Sequence, residues 1–170
     1  MKPDAYYKSV YEIDYKYLKD NNIKNIFFDV DNTLVPYDKN KPSDKCIKLI
    51  VDLKKDFNVY LLSNSRSKRI LSIASIFHID GYYSSMKPLR KNYKKILNKY
   101  KPNECIFVGD QFMTDVWGAK RNNLKVILVD SLGSPEPITT KFWRFFERRV
   151  INKLERESKF KPYNYYNEIK

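Results

Sequence analysis

Apolar positions along the chain alternate between short continuous runs and longer stretches with helical spacing. The first run, Ile26-Phe27-Phe28 with Val30, reads as a buried strand over 26–30. Similar runs predict strands over 58–62, at Gly81-Tyr82-Tyr83, over 105–108 and over 125–129. Between them the apolar spacing stretches to that of helices. One helix is predicted from Ser43 or Asp44 to about Lys55, with Ile47, Ile50, Val51 and Leu53 on its apolar side. Others are predicted from Ser67 to Phe77, from Pro88 to Tyr100, and from Thr114 to Asn122. Strands alternating with helices imply right-handed crossovers and a parallel α/β sheet covered on both faces. Residues 4–24 read as a lead-in that packs on the sheet edge or feeds the first strand.

Composition narrows this picture without redirecting it. A chain of 170 residues, 42% hydrophobic, is large enough for one domain with a real core. Its two cysteines, Cys46 and Cys105, lie in apolar contexts and read as buried free thiols of a reducing compartment. No apolar run approaches the ~18 residues of a membrane span. The charged, Tyr-rich start lacks a signal-peptide core, so a cytoplasmic protein is expected. The net charge of +13 fits nucleic acid, an anionic membrane or a phosphorylated substrate as partner. It also fits a solvated surface in a chain rich in Lys, Asn, Tyr, Ile and Phe.

The candidate chemistry sits at strand ends, where open α/β sheets bind their ligands. Asp29 and Asp31 follow the first strand and share one side of extended chain. Two carboxylates so close repel each other, and a divalent cation would relieve the repulsion. An Asp/Asn-rich turn is the plainer alternative. Ser63 closes the second strand and suits a phosphate oxygen or a helix N-cap. Lys87 precedes a helix N-terminus, where the dipole disfavours a cation, so it seeks an anion unless it is a surface lysine. Asp110 and Asp115 bracket a Gly109-led turn and offer the oxygen ligands Mg²⁺ prefers, or else act as caps. His78, the one histidine, sits at a helix end and reads as a cap or surface residue.

In order and placement, these residues resemble the four motifs of the haloacid dehalogenase (HAD) phosphatases. Asp29-x-Asp31-x-Thr33-Leu34 matches the first, Ser63 the second, Lys87 the third, and Asp110 with Asp115 the fourth. Asp31–Tyr37, Gly109–Asp115 and Thr140-Lys141-x-x-Arg144-x-x-Glu147 look like the YqeG branch, which includes phosphatidylglycerophosphate phosphatases. Ser65 departs from that branch, where a second Asn is expected. The resemblance implies a Rossmannoid five-stranded sheet in the order 3-2-1-4-5. It implies Asp29 as nucleophile, Asp31 as general acid and base, and Lys87 as charge stabiliser. It further implies a phosphate oriented by Ser63, Asn64, Asn32 and Thr33. Mg²⁺ would be held by Asp29, the Asp31 carbonyl and Asp110, with Asp115 close by.

Neither the Asp31–Ser63 nor the Ser63–Lys87 connection has room for the inserted cap domain of many relatives. An open site admits a phosphate on something large, and a lipid headgroup is the expected substrate. A soluble or protein-borne phosphate is the alternative among enzymes. Nucleic acid is disfavoured, and an RNA-binding module with an incidental site is the alternative outside enzymes. Residues 1–133 are expected to form the capless core. Residues 134–170 would carry a basic amphipathic helix and tail, in the same domain or appended. Over 138–160, Phe142, Trp143, Phe146, Val150 and Leu154 share a face that either joins the core or lies in the membrane interface, peripheral on its inner side.

Overall fold

A computed structural model of the chain describes residues 2–64, 67–82, 87, 93, 97–133, 147, 149–153, 155–157 and 163. The strands are β1 (Ala5–Tyr7), β2 (Asn25–Phe28), β3 (Asn58–Leu62), β4 (Asp80–Tyr82), β5 (Cys105–Gly109) and β6 (Lys125–Val129). The helices are α1 (Tyr15–Asp20), α2 (Asp44–Leu53), α3 (Ser67–Phe77) and α4 (Trp117–Lys120).

All six strands run parallel in the order β1-β6-β5-β2-β3-β4. The five expected strands hold their expected order. The sheet is nevertheless six-stranded, because the lead-in contributes β1, whose Ala5 pairs with Ile127. Ala5 and Tyr7 are buried, and a segment that alternates in this way suits a sheet edge.

Side-chain alternation divides the core in two. Phe28, Leu61, Ile106 and Val108 pack with α2 and α3 residues such as Ile50, Ile70 and Ile73. Phe27, Leu62, Cys105 and Phe107 face the other way, onto Tyr93, Phe112, Val116 and Ala119. Both faces of β2 and β5 are therefore buried, which is why these strands are apolar apart from Asn25 at the start of β2.

Local corrections follow from packing and capping. Ser43 caps α2 by accepting the Cys46 N–H at 3.2 Å. Cys46, Ile50 and Leu53 face the core from α2, whereas Val51 is half exposed. The helix expected over 114–122 is instead a π-helical turn, Phe112–Val116, running into α4. Val116 N bonds Gln111 O at 3.3 Å, one residue wider than an α-turn. His78 ends α3 exposed and with φ +52°. Both cysteines are buried free thiols.

Of residues 134–170, Val150 and Ile151 pack on the Phe27–Phe107 side of the core, and Glu147 is buried. Arg149, Lys153 and Arg156 are exposed. Phe142, Trp143, Phe146 and Leu154 of the predicted apolar face lie outside the described residues, as do Ser65, Tyr83, most of 88–100, and Thr140, Lys141 and Arg144.

Candidate active site

The site forms where β2 and β5 end side by side. Asp29 continues the line of β2, its N–H donating to Val108 O at 2.8 Å. The chain then folds tightly back. Val35 N bonds Val30 O at 3.0 Å and Asn32 N bonds Val35 O at 2.8 Å. Asn32 turns the corner with φ +63°, a conformation Asn adopts more readily than most residues. Its side-chain oxygen accepts Tyr37 N at 2.9 Å, and its carbonyl accepts Leu132 N at 2.9 Å. Asn32 thereby fastens the 32–37 loop and the 130–133 loop to each other.

Three carboxylates converge there. One oxygen from each of Asp29, Asp110 and Asp115 lies within 4.8 Å of the others, and all three residues are buried. Lys87 enters the same space. Its ammonium donates to Asp29 Oδ1 at 2.5 Å and to Asp115 Oδ1 at 2.7 Å. The Lys87 side chain is 2% exposed and the Asp115 side chain 1%, so these are fully desolvated pairs. Thr33 Oγ1 bridges Asp110 Oδ1 at 3.2 Å and Asp29 Oδ2 at 3.4 Å.

Supporting groups lock this arrangement. Asp115 Oδ2 also accepts Gln111 N at 3.0 Å, a bond made within the wide π-turn. Glu147 Oε1 accepts Met113 N at 3.0 Å, so a buried carboxylate from the C-terminal segment braces the same turn. Asn64 clasps the Lys87 backbone at two points, accepting its N–H at 2.7 Å and donating to its carbonyl at 3.1 Å. Gly109 permits the close approach of Asp115: a Cβ there would lie 2.3 Å from Asp115 Oδ2.

Asp31 stands apart from the three. One of its oxygens is held by the Arg69 guanidinium and the other accepts Ser63 Oγ at 3.4 Å. The expected set is thus brought together: Lys87 bonds Asp29 and Asp115, Asp110 lies within 4.8 Å of both carboxylates, and Asp31 and Ser63 are paired beside them. Asn32, Thr33 and Asn64 frame the site through the hydrogen bonds given above. Arg69 and Glu147 were not singled out as site residues by sequence reasoning. A signal for Arg69 existed: it is a cation in the first turn of α3, where the dipole disfavours positive charge.

Burial pushes Asp29 well above the usual carboxylate range; Lys87 opposes the shift, while Asp115, Asp110 and Asp31 add to it. Burial alone would lower Lys87, but Asp115 and Asp29 outweigh it and hold the ammonium above its ordinary value. Three carboxylates face one ammonium, so negative charge is in surplus. An all-oxygen, buried, anionic donor set fits a hard divalent cation such as Mg²⁺.

Comparison with known proteins identifies the lineage. A family model described as haloacid dehalogenase-like hydrolase matches residues 35–123. The chain belongs to the haloacid dehalogenase-like hydrolases. It lies on the YqeG-like phosphatase branch: it is 32% identical to "Probable phosphatase YqeG" of Bacillus subtilis (strain 168), over 91% of this chain and 92% of that one. The family match begins after Asp29 and Asp31, which it does not cover. Solved structures share the fold. A structure described as a "predicted HAD-like family hydrolase from Porphyromonas gingivalis" aligns with TM-score 0.55 and 15% identity, over 74% of this chain and 98% of that one. A structure described as "the putative HAD-hydrolase YfnB from Bacillus subtilis bound to magnesium" aligns with TM-score 0.51 and 12% identity, over 63% of this chain and 88% of that one.

Proposed function

We propose that this HAD enzyme is a Mg²⁺-dependent phosphomonoesterase that works through a phosphorylated Asp29, and that its substrate is phosphatidylglycerophosphate. The observation that carries the reading is the cluster of Asp29, Asp110 and Asp115, the first and last of them paired with Lys87, at the carboxyl edge of a parallel sheet, with Asp31 two residues beyond Asp29.

An Asp29 oxygen attacks phosphorus in line, and the bond to the leaving oxygen breaks. Asp31 gives that oxygen a proton. Asp31 then takes a proton from water, whose oxygen attacks phosphorus, releasing phosphate and restoring Asp29. Lys87 neutralises charge on the transferring group. Ser63, Asn64 and the Asn32-Thr33 backbone orient it. The Asp29 and Asp110 carboxylates and the Asp31 carbonyl would hold Mg²⁺, with Asp115 adjacent, and the ion would supply further charge neutralisation at the phosphoryl oxygens.

Two features support a lipid substrate. The stretch from Asp31 to Ser63 is filled by α2 and β3 with no inserted cap, which suits a phosphate on a large carrier. The net charge of +13 favours peripheral contact with an anionic bilayer. Val150 and Ile151 pack on the core, and Arg149, Lys153 and Arg156 are exposed basic groups available for this contact. No helix among the described residues is long and apolar enough to cross a membrane.

The test is turnover of phosphatidylglycerophosphate in anionic vesicles beside a soluble phosphomonoester, each with Mg²⁺ and with chelator. Metal-dependent hydrolysis that strongly prefers the lipid supports the reading. Hydrolysis of the soluble ester alone would move the substrate to soluble or protein-borne phosphates.

A further inference from the structure

Arg69 occupies a position that local helix energetics disfavour. It lies in the first turn of α3, beside the positive end of the helix dipole, and that turn carries no acidic residue. Its guanidinium is nonetheless fixed. Nε donates to Lys39 O at 3.2 Å, and Nη2 donates to Pro36 O at 3.1 Å and Lys39 O at 2.8 Å. Both carbonyls belong to the loop that follows Asp31. With that side of the fork anchored, Nη1 points at Asp31 Oδ1. The side chains of Arg69 and Asp31 are each only 17% exposed. A planar fork held by carbonyls has little freedom left, so it fixes the direction of the carboxylate it touches.

We propose that Arg69 is a positioning residue for proton transfer: by engaging Oδ1 of Asp31, it assigns Oδ2 as the oxygen that carries the proton. This rests on the reading of Asp31 as general acid and base. The assignment is chemically consistent. Oδ1 accepts from Arg69 whether or not Oδ2 bears a proton. Oδ2 faces Ser63, the residue at the carboxyl end of the neighbouring strand β3, and so faces the site. As the bond from phosphorus to the leaving oxygen breaks, the Oδ2 proton passes to that oxygen. In the second step Oδ2 receives a proton from water. Arg69 does not touch the reacting atoms. It also ties the loop after Asp31 to α3, so one side chain sets both the carboxylate and the backbone that carries it.

A role in proton transfer differs from a role in folding through its dependence on the leaving group. A p-nitrophenolate departs without a proton, whereas an alkoxide needs one. The parameter kcat/KM reports the steps up to release of the alcohol, so it isolates the acid role of Asp31 from its later role as base. The experiment compares kcat/KM for p-nitrophenyl phosphate and propyl phosphate in wild type, Arg69→Ala, Arg69→Lys and Asp31→Asn. Arg69→Ala should lose roughly 10²-fold on propyl phosphate and far less on p-nitrophenyl phosphate, a general-acid-sized effect. Arg69→Lys keeps the charge but cannot span Asp31 and both carbonyls, so it should show the same pattern. If Arg69→Ala fails to fold, Arg69→Lys carries the comparison, with turnover of p-nitrophenyl phosphate certifying its fold. Asp31→Asn should show the same leaving-group dependence more strongly; its absence there would remove the general-acid reading itself. If Asp31→Asn shows the dependence while the Arg69 variants lose equally on both esters, or on neither, the proposal is overturned.

Discussion

Lys87→Met replaces the buried ammonium with an apolar side chain of similar length. The change removes two charge-assisted hydrogen bonds, at 2.5 Å to Asp29 and 2.7 Å to Asp115. It leaves three buried carboxylates facing each other within 4.8 Å. Removing one partner of a buried pair typically costs about 3–5 kcal/mol, because the other charge stays desolvated. At this chain length 1 kcal/mol corresponds to about 2–4 °C, so the midpoint should fall by roughly 6–20 °C at pH 8 without metal. The loss should shrink on acidification. Asp29 already sits above the usual carboxylate range through burial, and losing Lys87 removes a cation that opposes that shift. A carboxyl whose folded value exceeds its unfolded value binds more protons when folded. Its contribution to stability therefore falls as pH rises from about 4 upward through the folded value. Added Mg²⁺ should also restore stability, by about 2.7 kcal/mol at a hundredfold excess over its Kd. Thermal melts at pH 5.5 and 8, each with Mg²⁺ and with chelator, measure all three effects. A variant that melts within about 2 °C of wild type at pH 8 in chelator would refute the desolvated pairing from which the magnitude is derived.

Gly109→Ala should disable the enzyme, since the new Cβ would stand 2.6 Å from Asp115 Cγ and 2.8 Å from its Cβ, which a side-chain swing does not relieve; calorimetry should show a loss of about 1–3 kcal/mol alongside the lost turnover. Asp110→Asn should raise the Mg²⁺ concentration needed for half-maximal rate, with excess Mg²⁺ recovering part of the rate; a rate indifferent to metal would take Asp110 out of the ion's coordination. Burial pushes the Cys46 thiol up to about 12 and the Cys105 thiol up to about 11, so neither should react with iodoacetamide at pH 8 until denaturant is added, as mass spectrometry of the intact protein would record.

The order of five of the six strands, and the gathering of polar residues at their carboxyl ends, were legible because strand ends place residues by topology alone. Asp29, Ser63, Asp110 and their neighbours each follow an apolar run, and parallel strands bring those ends to one edge. Side-chain pairing was not legible. That Lys87 bonds Asp29 and Asp115 depends on the Asn64 clasp, a contact between residues 23 positions apart. The π-turn at Phe112–Val116 was read as plain helix because its sequence keeps helical spacing; what widens it is the inward Asp115 bonded to Gln111 N, braced by Glu147 from the C-terminal segment. β1 was missed as a strand because three residues give too little periodicity, and only pairing with β6 defines it. The apolar pattern of 138–160 fitted core and membrane equally; Val150 and Ile151 take the core side through packing that spacing alone does not encode.

The most direct test of the mechanism is chemical capture of the phosphorylated enzyme. Wild-type protein turning over a phosphomonoester with Mg²⁺ would be quenched in acid, reduced with borohydride and digested. Peptide sequencing by mass spectrometry should then find homoserine at position 29, the product of reducing an aspartyl phosphate. Asp29→Asn, which keeps the shape and the oxygen facing Lys87, should give neither turnover nor this product. Homoserine at another aspartate, or turnover by Asp29→Asn near the wild-type rate, would contradict the assignment of Asp29 as the nucleophile.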